Sequence, residues 1–246
     1  MRAEFKTLAS GTVTSPFGFV AGAVQSGIRS PNKLDLAILY SEVPCTAAGM
    51  FTTNAIKAAP VVLTQKHLRN KRAQAIVVNS GYANACTGKQ GIADAEEMAR
   101  AVADKLGIAP QNVLVASTGV IGTSLPMDRV RAGIDKVTLT KEGGHELAEA
   151  IMTTDTFTKE VALHVEAELG TFILGGVAKG AGMIHPNLAT MLCFLTTDAT
   201  VDATFLQSAL HTAADSSFNM VTVDGDTSPS DTVAVSYTHL TLPTKA

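Results

Sequence analysis

Two short stretches carry residues that could do covalent chemistry. In KGAGMIHPNLATML (179–192), a lysine and two close glycines lead through Pro186 to Thr190, which opens an apolar run. A threonine hydroxyl is a weak nucleophile by itself. It becomes effective when the peptide bond before it is cut, because the freed α-amine, with a pKa of about 7.7–8, can take the hydroxyl's proton. Asn187-Leu188-Ala189, following a proline, could hold the 189–190 peptide in a turn open to attack by Thr190. The other stretch is ASTGVIGTSLP (116–126), where Thr118-Gly119 reads as a glycine-containing turn just past a strand end. Backbone N–H groups in such a turn can converge on a developing oxyanion. From spacing alone both readings stay open. Ala-Thr pairs are common, and Lys179, although a sensible point-charge partner for a carboxylate, would by default be a solvated surface lysine.

Other candidate motifs fail on their own spacing. GGVAKGAG (175–182) has its lysine before the second glycine cluster, whereas a phosphate loop needs it after. GYANACTGKQ (81–90) has six residues between its glycines, and Gln90 stands where a hydroxyl should hold magnesium. HELAE (145–149) lacks the second histidine of a zinc helix, and HVE (164–166) lacks the paired cysteines of a zinc deaminase. Both read as charged or half-exposed faces. His185, beside Pro186, reads as a turn residue. DGDTSPSD (224–231) puts Pro229 where a calcium loop needs glycine, so it reads as a solvated turn. No metal site is expected.

The elements that must position these residues read as mixed α/β. LDLAILY (34–40), PVVLT (60–64), AQAIVVNS (73–80), NVLVAS (112–117), KEVALHVE (159–166), TFILGGV (171–177), TMLCFLTT (190–197) and NMVTVDGD (219–226) fit strands. GIADAEEMARAVADKLG fits a helix, with Ile92, Ala95, Ala99, Val102, Ala103 and Leu106 on one stripe and Gly107 as its stop. PMDRVRAGIDKV starts a helix at Pro126, and Asp202 can cap ATFLQSALHTAADSSF. Many strands with few Ala-rich helices predict layered sheets covered by helices. The chain has 246 residues, 46% hydrophobic, enough for a sizeable core. Its formal charge of −3 argues against a nucleic-acid partner, and no apolar run is long enough for a membrane span. Cys45, Cys86 and Cys193 are widely spaced, which fits buried thiols in a reducing cytoplasm.

KGAGMIHPNLATML closely resembles the processing motif of the ornithine acetyltransferase family, the bifunctional glutamate N-acetyltransferase/ornithine acetyltransferase enzymes of arginine biosynthesis. GTVTSPFGFVAGAVQSGI, AAGMFTTNAIKAAPV, AIVVNSGYANACTG, VASTGVIG, MTTDTFTK and NMVTVDGDTS resemble further blocks of that family, in its order, over about residues 10 to 234. The resemblance implies an α/β fold of layered sheets covered by helices, similar to N-terminal-nucleophile hydrolases. It implies a precursor that cleaves itself between Ala189 and Thr190, with residues 1–189 as the alpha subunit and 190–234 as the start of the beta subunit. Thr190 would be the nucleophile, and Thr118 and Gly119 the oxyanion hole. Thr156, Lys179 and Thr190 would bind substrate, with Gly180, Gly182 and Pro186 shaping the approach. The implied reaction moves acetyl from N-acetylornithine to glutamate through an acetyl-threonine. No cofactor is implied; acetyl-CoA, a donor for some members, would be a substrate and is left open by the residues. The cleaved chains are expected to assemble as a heterotetramer.

Two departures qualify that expectation. The family continues well past this chain's end, and its downstream part carries a further glutamate and polar residues of the site. The family pattern also stops near DTVAV, and residues 235–246, from VSYTHLTLPTKA, read like a translated sequencing adaptor. The chain as given is therefore expected to be inactive. Two alternatives separate by experiment. A self-processing aminopeptidase-like hydrolase would cleave itself without transferring acetyl, and a glycine-rich binding module would not cleave at all.

Overall fold

The computed structural model describes residues 4–168, 170–183 and 191–238. Its strands are β1 (Glu4–Thr7), β2 (Phe19–Val24), β3 (Leu36–Phe51), β4 (Arg72–Tyr82), β5 (Val113–Val120), β6 (Lys159–Ala167), β7 (Gly170–Lys179), β8 (Leu192–Thr197) and β9 (Thr232–Thr238). Its α-helices are α1 (Ala59–His67), α2 (Gly88–Leu106), α3 (Met127–Lys136), α4 (Gly144–Ile151) and α5 (Ala203–Asp215). The strands pair in the order β1-β6-β7-β8-β9-β3-β4-β5, with β2 also on β3. All pairs are antiparallel except β4–β5 and β8–β9.

The long strand β3 makes this one sheet into two layers. Its register against β4 shifts between Tyr40 and Cys45. Before the shift β3 pairs with β2 and β4; after it, Cys45–Phe51 pair with β9. Such an irregularity bends a strand and lets a sheet turn over on itself. The side-chain alternation then follows the strand period of two. Leu39, Val78 and Ala116 from one half share a core with Val177, Phe194 and Ala234 from the other, together with Leu147 and Ile151 of α4. The opposite faces are covered separately. Ile38, Val77 and Val115 pack with Met98 of α2 and Ile134 of α3. Met50, Cys193 and Val235 pack with Leu206 and Leu210 of α5. The order is helix, sheet, sheet, helix, which bears out the expected layered α/β class.

Several local expectations change. PVVLT is helical: Pro60 sits at the helix start, where its fixed φ suits the first turn and its missing N–H costs nothing. A five-residue apolar run cannot by its period distinguish the two states. NMVTVDGD is not a strand; Phe218–Met220 form a single 3₁₀ turn and Val221–Val223 are exposed. β1, β2, α4 and the second half of β3 were not anticipated. The stop at Gly107 (φ +67°) and the cap at Asp202 are as expected, the Asp202 carboxylate accepting from the N–H groups of Thr204 (2.8 Å) and Phe205 (3.1 Å). Val235–Tyr237, assigned to a foreign tail from sequence, form buried positions of β9. No helix among the described residues is long and apolar enough to cross a membrane.

Candidate active site

Two strand ends meet across the interior. On β7, Val177 points into the space between the sheets, so Lys179, two residues on, points the same way. On β5, Ala116 does so, and Thr118 follows it. At this end of the sandwich the apolar packing gives way to polar contact. Lys179 Nζ donates to Thr118 Oγ1 at 3.0 Å and to Thr153 Oγ1 at 2.8 Å. Lys179 is 3% exposed and Thr118 6%. The contact joins strands that lie five places apart in the sheet order, and only the turn in β3 brings them together.

Thr118 and Gly119 are not in a turn past the strand, as expected, but within β5, which runs to Val120. The cause is parallel pairing with β4, which continues through Ser80–Thr118, Gly81–Gly119 and Tyr82–Val120. Gly119 has φ +134°, and a Cβ there would run into the carbonyl of Gly81. The close approach of two backbones therefore requires glycine. Gly119 itself is exposed, so its backbone lies open at the mouth of the site.

The loop from α4 to β6 closes the site from the side. Arg29 holds it by donating to the carbonyls of Met152 and Thr153. Asp155 pins it to β7, since its Oδ1 accepts from Gly180 N–H at 2.8 Å and from Lys159 Nζ at 2.6 Å. Thr156 lies exposed on this loop. Asp231 marks the other approach. It is 1% exposed and accepts from Met191 N–H at 2.8 Å. Ala189 and Thr190, like His185 and Pro186, lie outside the described residues.

Charge at this end is nearly balanced. Burial pushes the Lys179 ammonium below the ordinary lysine value; Asp155 and Asp231 counter this, while Lys159 and Arg29 add to it. For Asp155, burial would raise the carboxyl. The bond from Lys159, the N–H groups of Gly180 and Thr153, and the charge of Lys179 together outweigh burial and hold it below the usual range. Three cations thus face two carboxylates, an arrangement that suits one further anionic group.

The sequence reading missed Thr153, Asp155 and Arg29 as contributors, and it misread Asp231. Of DGDTSPSD only residues 224–227 are exposed; Ser228–Asp231 are buried. The available signal was position, because Asp231 directly precedes the β-branched start of β9, where the chain has already entered the interior. Thr153 and Asp155 lie within MTTDTFTK, where the density of short polar groups was a signal without a direction.

A model described as the ArgJ family matches residues 20–243. The chain is 55% identical over 235 residues to the arginine biosynthesis bifunctional protein ArgJ of Dehalococcoides mccartyi, covering 95% of this chain and 58% of that one. It thus spans little more than half the length of the curated relatives it matches. Among solved structures, the arginine biosynthesis bifunctional protein ArgJ of Bacillus halodurans superposes with a TM-score of 0.73 at 42% identity, covering 78% of this chain and 100% of its own. The ornithine acetyltransferase of Mycobacterium tuberculosis, solved with ornithine, gives 0.71 at 45%, covering 76% and 100%.

Proposed function

The chain belongs to the ArgJ family, and on that premise we propose that it forms the first part of a self-cleaving acetyltransferase that passes acetyl from N-acetylornithine to glutamate. The observation that carries the reading is the contact of Lys179 with Thr118 across the two sheet layers. It unites the two motif segments at one buried point, and Lys179, which ends β7, precedes Thr190 by eleven residues in the sequence. The relative solved with ornithine supports the choice of substrate. Both solved relatives match over their whole length while covering only 76–78% of this chain, about the share that precedes Thr190.

Processing comes first. Thr190 Oγ attacks the Ala189 carbonyl, the acyl group moves from nitrogen to oxygen, and water splits the ester. Ala189 is left with a carboxylate and Thr190 with a free α-amine. In turnover that amine takes the Thr190 hydroxyl proton as Oγ attacks the acetyl carbonyl of N-acetylornithine. Thr118 would stabilise the resulting oxyanion. Its oxygen accepts from the Lys179 ammonium, which leaves its own proton to donate and makes that proton more acidic. The exposed backbone at Gly119 would supply the second donor. The α-amine returns the proton to the departing ornithine amine, and acetyl remains as an ester on Thr190. The glutamate amine attacks that ester through the same steps in reverse, and the product is N-acetylglutamate. Acetyl-CoA as an alternative donor, and a heterotetramer of the cleaved chains, belong to this reading as family expectations. Thr156 would contact substrate from its exposed loop.

The test uses the full-length protein carrying these residues. Intact-mass analysis should show a break before Thr190, and Thr190→Ala should abolish both the break and the transfer. Thr190→Ser should still cleave. Acetyl transfer from N-acetylornithine to glutamate should follow ping-pong kinetics. A protein that cleaves itself but only hydrolyses peptides would replace this reading with the aminopeptidase-like one.

A further inference from the structure

We propose that Asp155 is the positioning residue for Lys179, fixing both its backbone and its charged head from a single loop. The inference rests on the acyl-transfer reading for its consequence in catalysis, but its geometry stands apart from that reading. The Asp155 side chain is fully buried. Its Oδ1 takes Gly180 N–H at 2.8 Å, directly after Lys179, and its Oδ2 takes Thr153 N–H at 3.2 Å. Thr153 in turn receives Lys179 Nζ on its hydroxyl at 2.8 Å. The circuit closes: lysine head to Thr153, Thr153 backbone to Asp155, and Asp155 to the peptide that follows the lysine.

A local turn would explain the Thr153 bond alone. It does not explain the bond to Gly180, which reaches 25 residues along the chain to the residue that follows β7. Arg29 grips the same loop through the carbonyls of Met152 and Thr153. The charges facing Lys179 are Asp155 from this loop, Asp231 from the approach to β9, Lys159 from the start of β6, and Arg29. Removing Asp155 leaves one carboxylate against three cations. The ammonium is then harder to keep protonated, and its grip on Thr118 loosens.

The experiment compares the full-length protein with Asp155→Asn, which keeps shape and loses charge, and with Asp155→Glu. The Lys179 side chain is titrated by NMR on lysine-labelled protein, its signal assigned by its loss in Lys179→Arg. In Asp155→Asn the Lys179 midpoint should fall, the alkaline limb of the acetyl-transfer profile should move to lower pH with it, and kcat/KM should drop about 10²-fold. Asp155→Glu should restore part of each. Lys159→Met removes a like charge and keeps the carboxylate, so it should raise the midpoint. If Asp155→Asn does not fold, Asp155→Glu decides the matter: it keeps the charge but displaces the carboxylate from Gly180 N–H, so a Lys179 midpoint and a kcat/KM both unchanged in it would overturn the proposal. An active parent whose Lys179 midpoint is unmoved by Asp155→Asn, or not raised by Lys159→Met, overturns the proposal. Midpoints that shift as expected in a protein without acetyl transfer would keep Asp155 as the anchor of Lys179 and discard the catalytic reading instead.

Discussion

A buried lysine that serves two threonine hydroxyls defines the chemistry available here. Thr118 is the sensitive partner, since its hydroxyl both accepts from Lys179 and would donate to an oxyanion. In the full-length protein, Thr118→Ala should lower kcat by about 10²-fold or more while cleavage before Thr190 continues. Unchanged turnover would assign the oxyanion to backbone donors alone. The pH response of Lys179 has a definite sign. Its folded value lies below the ordinary lysine value, so between the two the unfolded chain binds more protons than the native one. Stability from this group therefore rises with pH across that window, up to about 10.4. Lys179→Met should remove the rise, measured as the difference between parent and variant urea midpoints along that pH range. Burial raises Cys45 to about 11, despite a lowering bond from Ser41, and Cys193 to about 12. These thiols act in the opposite sense, but equally in both proteins, and so cancel. The same shifts mean that Cys86, exposed, should be the one cysteine to react with a thiol reagent near neutral pH, as peptide mass mapping would show.

Among the elements, legibility in the sequence followed length and period. α2 could be read because its stripe runs over 19 residues and ends at a glycine in the left-handed region. α5 could be read from its cap, and Asp202→Ala should lower the thermal midpoint while Asp202→Asn largely preserves it, since both Asp and Asn accept from N–H groups. α1 could not, because five apolar residues fit a buried strand equally well and Pro60 alone tipped the balance. The site was legible as residues and not as a place. Lys179 and Thr118 could be named from their surroundings, yet nothing in KGAG or STGV says that they touch. Their contact depends on the register shift between Tyr40 and Cys45, in a segment whose second half was not read as a strand. Likewise Asp155 appears only as one polar residue among several until the pairing of β6 with β7 brings its loop beside Gly180.

The whole molecule is stitched across the proposed break. β8 and β9 come from residues after Thr190, yet they lie in the middle of the sheet, with β7 on one side and β3 on the other. α5 covers the same region through Leu206 and Leu210. Two cleaved pieces should therefore stay together: two bands on a denaturing gel, one species by size exclusion. Separation under native conditions would mean that the pairing of β9 with β3 does not hold. That pairing also bears on synthesis. The Cys45–Phe51 half of β3 leaves the ribosome long before β9, its hydrogen-bonded neighbour. At 5–20 residues per second, the roughly 180 residues between them take about 10 to 35 s to translate. Through that interval the nascent chain carries an unfilled edge at the centre of its future sheet. Slow codons between the two strands should lengthen its dependence on chaperones, whereas slow codons before β3 should leave it unchanged.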